Sequence, residues 1–83
     1  MQVRFSETAD DQLDRLPHRL QVRIVEKIEL YSQQPDPFKF AEPLTGSNQY
    51  RFRIGDYRVI YDIDDGTQKV VVLHIGHRRE VYR

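Results

Sequence analysis

Apolar residues recur at helical spacing early in the chain and alternate from Tyr50 onward, so a helical half precedes a sheet half. Val3 to Phe5 reads as a short first strand. Ser6 is placed to cap a helix whose apolar stripe is Ala9, Leu13 and Leu16. Glu7, Asp10 and Asp11 fall early in that helix, where acidic groups suit its dipole. Pro17 ends it and opens a second helix over residues 17–33, with Leu20, Ile24, Val25, Ile28 and Tyr31 on one face. Two helices meeting at a proline predict an αα-hairpin. Pro35-Asp36-Pro37 stops the second helix. Residues 38–48 read as irregular, pinned to the body by Phe38, Phe40 and Leu44.

Beyond Tyr50 the period is two. Tyr50, Phe52 and Ile54 alternate with Arg51 and Arg53, and Gly55-Asp56 suits a two-residue type II′ hairpin turn. Such a turn dictates register, setting Arg53 opposite Arg58 and Phe52 opposite Val59. Tyr50, Phe52, Ile54, Tyr57, Val59 and Tyr61 then form an aromatic-rich core face, and Arg51, Arg53 and Arg58 share the other. A second tight turn at Asp65-Gly66 would set Asp62 against Lys69, an opposite-charge pair that favours this closure. By the same parity His74 points toward Tyr57 and Tyr61, while Ile60, Val71, Leu73 and Ile75 fall on the arginine side. The expected architecture is α+β: an N-terminal strand and α-helical hairpin packed on a small, mostly antiparallel twisted β-sheet, one domain over residues 1–83.

Composition narrows the classes. Without cysteine there is no disulfide framework or thiolate zinc site. No apolar run reaches the ~18 residues of a membrane span. The opening residues lack signal-peptide character, so a soluble, cytoplasmic protein is expected. Thirteen basic and thirteen acidic residues cancel, and bulk charge does not announce a nucleic-acid binder. The distribution says more: residues 1–48 carry six basic against eight acidic side chains, and residues 49–83 carry seven against five. Six of those seven are arginines, the side chain that grips phosphate or carboxylate with a planar fork.

Arg53 facing Arg58 is costly to folding alone, by about 0.2–1 kcal/mol for like charges directly opposite. An anionic partner reverses the sign, since a charge-assisted hydrogen bond is worth about 1.5–3 kcal/mol. A solvated charged face is the simpler alternative. The run Gly76-His77-Arg78-Arg79-Glu80-Val81-Tyr82 adds to the first view. Gly76 ends the strand and lets the chain turn back, bringing His77, Arg78 and Tyr82 toward the arginine face. Three histidines at positions 18, 74 and 77 form no metal-ligand pattern, and no metal is implied.

The segment YRFRIGDYRVIYDIDDGTQKVVVLHIGHRREVY, residues 50–82, resembles the RelE/ParE toxins of bacterial type II toxin–antitoxin systems, and their RelE-like branch in particular. The first strand, helical hairpin and Leu44-Thr45-Gly46 fit the family's layout. The resemblance implies a ribosome-dependent mRNA interferase without metal or cofactor. A 2′-hydroxyl of the A-site codon attacks the adjacent phosphate, leaving a 2′,3′-cyclic phosphate and a 5′-hydroxyl. It also implies catalytic roles for Arg58, Arg78 and Tyr82 and RNA-binding roles for Arg51 and Arg53. His77, where the family varies, is a further acid–base candidate through its imidazole, and Arg79 a further RNA-binding one. The implied partners are the ribosome, mRNA and a cognate antitoxin, in a toxin–antitoxin hetero-oligomer without a membrane. A ParE-like toxin of DNA gyrase and a catalytically decayed binding module are the alternatives. RelE-like toxins are typically strongly basic, whereas this chain is neutral, so its attraction to RNA rests on a small, salt-sensitive patch.

Overall fold

The computed structural model describes residues 1–81. Strand β1 (Gln2–Phe5) leads into helix α1 (Glu7–Asp14) and helix α2 (His18–Ser32). An edge strand β2 (Glu42–Pro43) precedes the meander β3 (Tyr50–Ile54), β4 (Tyr57–Asp64) and β5 (Lys69–His77), and a short helix α3 (Arg78–Val81) follows. The sheet order is β1-β5-β4-β3-β2, with β1 parallel to β5 and every other pair antiparallel. This is the expected RelE-like α+β arrangement. No helix among the described residues is long and apolar enough to cross a membrane.

Ser6 caps α1 by accepting the Ala9 backbone N–H at 3.1 Å, and its hydroxyl donates to the Leu73 carbonyl at 3.0 Å. One residue thus starts the helix and ties it to the middle of β5. Pro17 stands just before α2 as its extended N-cap rather than as its first helical residue. The two helices lay Ala9, Ile24 and Ile28 on Phe52, Val59, Tyr61, Val70, Val72 and Ile75, all buried. Tyr31, Tyr50, Phe52 and Tyr61 pack as a tilted and edge-on aromatic group with ring centroids 5.5 to 6.2 Å apart.

Gly55 has φ +57°, the positive value that a type II′ turn requires at its first central position. The β3–β4 register is the one the two-residue turn dictates, with Arg53 opposite Arg58 and Arg51 opposite Ile60. The β4–β5 connection differs from the expected tight turn. It holds four residues, with Gln68 at φ +55°, and sets Asp64 opposite Lys69 and Asp62 opposite Val71. Lys69 still meets a carboxylate, one position from the turn instead of three.

A β-bulge then changes the phase of β5. Tyr61 pairs with Val72 but Ile60 pairs with His74, leaving Leu73 as an extra residue. Every residue of β5 past the bulge therefore lies on the face opposite to simple alternation. Ile75 is 2 % exposed in the core, not on the arginine side, and His74 pairs with Ile60 rather than facing Tyr57 and Tyr61. Residues 38–48 are also more ordered than an irregular loop, since Glu42 and Pro43 pair with Arg51 and Tyr50. Ala41 packs on the core there, while Phe40 is 56 % exposed and Phe38 is held mainly edge-on to Tyr50 at 6.0 Å.

Candidate nucleic-acid interface

The end of the sheet at the β3–β4 turn carries a concavity of about 270 Å³, lined by Arg53, Gly55, Asp56, Tyr57, Arg58 and Arg78. Three separate elements supply its cations: β3, β4 and the first residue of α3. The Arg78 backbone N–H donates to the Asp56 carbonyl at 2.8 Å, which locks α3 to the hairpin turn and sets Arg78 at the rim. Arg58 is only 1 % exposed although it lines the concavity, so it lies at the bottom. Opposite Arg58 stands Gly76, which offers no side chain to crowd the guanidinium. The bulge is what brings a glycine there.

Burial first, and then Arg51 and Arg53, push the Arg58 guanidinium below its ordinary value, and Glu42 opposes them. The group stays protonated, because an arginine remains charged across any physiological pH. The concavity therefore holds a fixed positive charge in a setting that resists it. Arg51 lies one strand pair away, where its Nε and Nη2 donate to Glu42 Oε1 at 3.0 and 2.8 Å. That bond, and next the charge behind it, hold the Glu42 carboxyl below the usual carboxylate range.

Of the residues singled out from sequence, Arg53, Arg58 and Arg78 come together in this concavity. Arg51 joins through its field on Arg58 and is engaged by Glu42. Arg79 is exposed beside them on α3. His77 does not join. The bulge turns it to the helix-bearing face, opposite Tyr57, with ring centroids 5.6 Å apart and planes at 80°. Tyr82 lies outside the described residues. Sequence reasoning overlooked Tyr57 as a lining residue, because parity assigned it to the core; its place at the first position of β4, where the sheet ends, was the available signal. Glu42 was overlooked because nothing in the proline-flanked segment marked it as a strand. Among the described residues no group of three His, Cys, Asp or Glu side chains is placed to hold a metal ion.

A family model described as the ParE toxin of the type II toxin–antitoxin system parDE matches residues 3–82. The chain belongs to this toxin family. Two Mycobacterium tuberculosis proteins, Toxin RelG and Toxin RelE, are each 35 % identical to it over 83 residues. Each alignment spans 98 % of this chain, and 94 % and 84 % of the relatives. The crystal structure of the toxin–antitoxin complex RelBE2 from the same organism contains a chain that superposes with a TM-score of 0.75. That match has 34 % identity and covers 93 % of this chain and 90 % of the other. Within the family the protein is RelE-like, a toxin of the RelBE type. The toxin's arginine concavity thus lies on the same hairpin and strand-end segment that carried the resemblance in sequence.

Proposed function

We propose that this toxin is an mRNA endoribonuclease that cuts the codon in the ribosomal A site without a metal or cofactor, and so blocks translation. The observation that supports the reading is the concavity, in which Arg53, Arg58 and Arg78 converge from three elements around a glycine-backed floor. In the reaction the 2′-hydroxyl attacks the adjacent phosphorus and the bond to the 5′-oxygen breaks. The products are a 2′,3′-cyclic phosphate and a 5′-hydroxyl. Negative charge gathers on the non-bridging oxygens, and preorganised guanidinium groups meet it; one such donor is commonly worth about 10²–10³ in rate. Arg58 and Arg78 take that role, while Arg51, Arg53 and Arg79 hold the backbone. Arg51 does so in competition with Glu42, whose carboxylate already occupies its fork.

Proton transfer requires a base for the 2′-hydroxyl and an acid for the leaving oxygen. Tyr82, which the resemblance marks and which lies outside the described residues, is assigned the general base or a stacking contact to a nucleobase. His77 takes no part, because its ring stands beside Tyr57 on the far face of the sheet. The antitoxin of the pair is the expected protein partner in the cytoplasm, as the solved M. tuberculosis RelBE2 structure is of a toxin–antitoxin complex.

Toeprinting of a defined mRNA in a purified translation system tests the reading. Cuts within the A-site codon are expected with the toxin, and Arg58→Ala or Arg78→Ala should slow them by about 10² or more. Uncut mRNA refutes it. A second reading, a non-nuclease toxin of DNA gyrase, draws on the ParE description of the family model and would appear instead as trapped gyrase–DNA complexes.

A further inference from the structure

A second concavity, of about 300 Å³, opens at the same end of the sheet on the opposite face. Gln12, Arg15, Leu16, Tyr57, Ile75 and His77 line it. Tyr57 lines both concavities, so the two are neighbours around the first residue of β4. The chemistry of the second is different from the first. Its wall is aromatic, with the Tyr57 and His77 rings edge to face. The Arg79 backbone N–H donates to His77 Nδ1 at 3.4 Å, so the neutral imidazole carries its proton on Nε2 and offers a donor. Gln12 is fixed by two bonds, accepting the Ile75 N–H at 2.6 Å and facing His74 Nδ1 at 3.1 Å, which makes that side rigid. Leu16 and Ile75 supply apolar surface, and the exposed Arg15 supplies a cation at the rim.

Aromatic surface, a ring N–H donor and a cation beside a phosphate-gripping cleft are the combination that binds unpaired nucleotides. A base stacks on the ring while the guanidinium meets its phosphate. Duplex RNA does not suit the geometry, because its bases are not free to splay. We propose that the second concavity receives the nucleotide next to the scissile step. Single-stranded RNA would bend around Tyr57 from the arginine face to the helix face, with the base against Tyr57 and His77 and the flanking phosphate toward Arg15. This rests on the ribonuclease reading and adds to it a site for a neighbouring base.

The test is an amide NMR titration of the isolated toxin with 2′-O-methylated RNA, which binds but cannot attack. A dinucleotide should shift the Gly55 and Asp56 amides. A trinucleotide extended on the correct side should also shift the Gln12 side-chain amide and the Gly76 and His77 amides, and bind at least about five-fold tighter, the lower end for one base stacked on an aromatic ring. Arg15→Ala and His77→Ala should each remove that gain with the spectrum otherwise preserved, and His77→Phe, which keeps the stacking surface, should restore most of it. If trinucleotides on both sides shift only Gly55 and Asp56, the proposal is overturned while the ribonuclease reading stands. Silence at both concavities overturns the proposal, while the ribonuclease reading is decided separately by toeprinting on the ribosome. A gain that survives Arg15→Ala and His77→Ala also overturns the proposal.

Discussion

Gln12 controls the end of β5 from outside the sheet. Strand β1 leaves β5 after Phe5 pairs with Val72, so no strand covers that edge of β5 further along. The Gln12 side chain from α1 stands in for one, accepting the Ile75 N–H at 2.6 Å and bonding His74 Nδ1 at 3.1 Å. Ile75 is 2 % exposed, and water is not at hand to replace the bond. Gln12→Leu keeps helix propensity and removes both contacts. Leaving the buried N–H unmade costs about 1–3 kcal/mol, and the lost bond to His74 about 1 kcal/mol more. The sum, about 2–4 kcal/mol, is a large share of the ~5–15 kcal/mol that holds a domain folded. At roughly 4–8 °C per kcal/mol in a domain of this size, the melting temperature should fall by at least about 8 °C. Urea denaturation followed by circular dichroism measures the loss, and amide hydrogen exchange should show Ile75 opening well before Val70. Gln12→Glu, which keeps an acceptor for the Ile75 N–H, should recover more than half. A Gln12→Leu protein within about 0.5 kcal/mol of the parent, with unchanged Ile75 exchange, would refute the edge-capping role.

Tyr61 is 1 % exposed, and its hydroxyl meets no hydrogen-bonding protein group among the described residues, so burial pushes its phenol strongly up. Tyr61→Phe should therefore raise stability by about 1 kcal/mol or more, read by the same urea titration; a loss would mean the hydroxyl is satisfied in solution. Arg58→Lys keeps a charge but not the fork, and should lower A-site cleavage by about 10² while leaving the fold intact. Glu42, held down first by its bond from Arg51, and Asp64, held down first by the Thr67 side chain, both have folded values below their unfolded ones. Their contribution is present above the unfolded carboxylate values near 4 and is lost as pH falls through the lower folded values. Stability should be level from neutral pH to about 5 and decline below about 4, and Asp64→Asn should flatten part of that decline.

Much of this molecule was readable before its structure, for identifiable reasons. The Gly55-Asp56 turn has one comfortable geometry, so the β3–β4 register and the Arg53–Arg58 opposition followed from two residues. The Ser6 cap and the Ala9, Ile24 and Ile28 stripe followed from local hydrogen bonding and helical period. The second turn did not follow, because Lys69 finds a carboxylate at either Asp62 or Asp64 and the tight closure looked as good. The bulge left no mark in residue type: Leu73 and His74 read as ordinary alternation, and the hydroxyl of Ser6 that bonds Leu73 lies far away in sequence. From that single unseen residue came the misplacement of His74, Ile75 and His77 together. Three of the candidate arginines nonetheless converge, since Arg53 and Arg58 lie before the bulge and Arg78 is fixed by the Asp56 carbonyl.

The extra residue at Leu73 also decides where this chain tolerates a change of length. Carried on without it, the pairing of Ile63 with Val70 would bring Ile75 beside Arg58 and move Gly76 beside Tyr57. Straightening the strand at constant length would therefore act on the sheet as a frameshift acts on a gene, placing a branched side chain on the floor of the concavity, whereas removing the extra residue itself would leave Gly76 beside Arg58. An insertion in the four-residue turn after Asp64 faces no such constraint, because it lies in an exposed connection. Anyone transplanting the arginine concavity onto another sheet would need to carry a glycine at the position opposite Arg58 along with the charges.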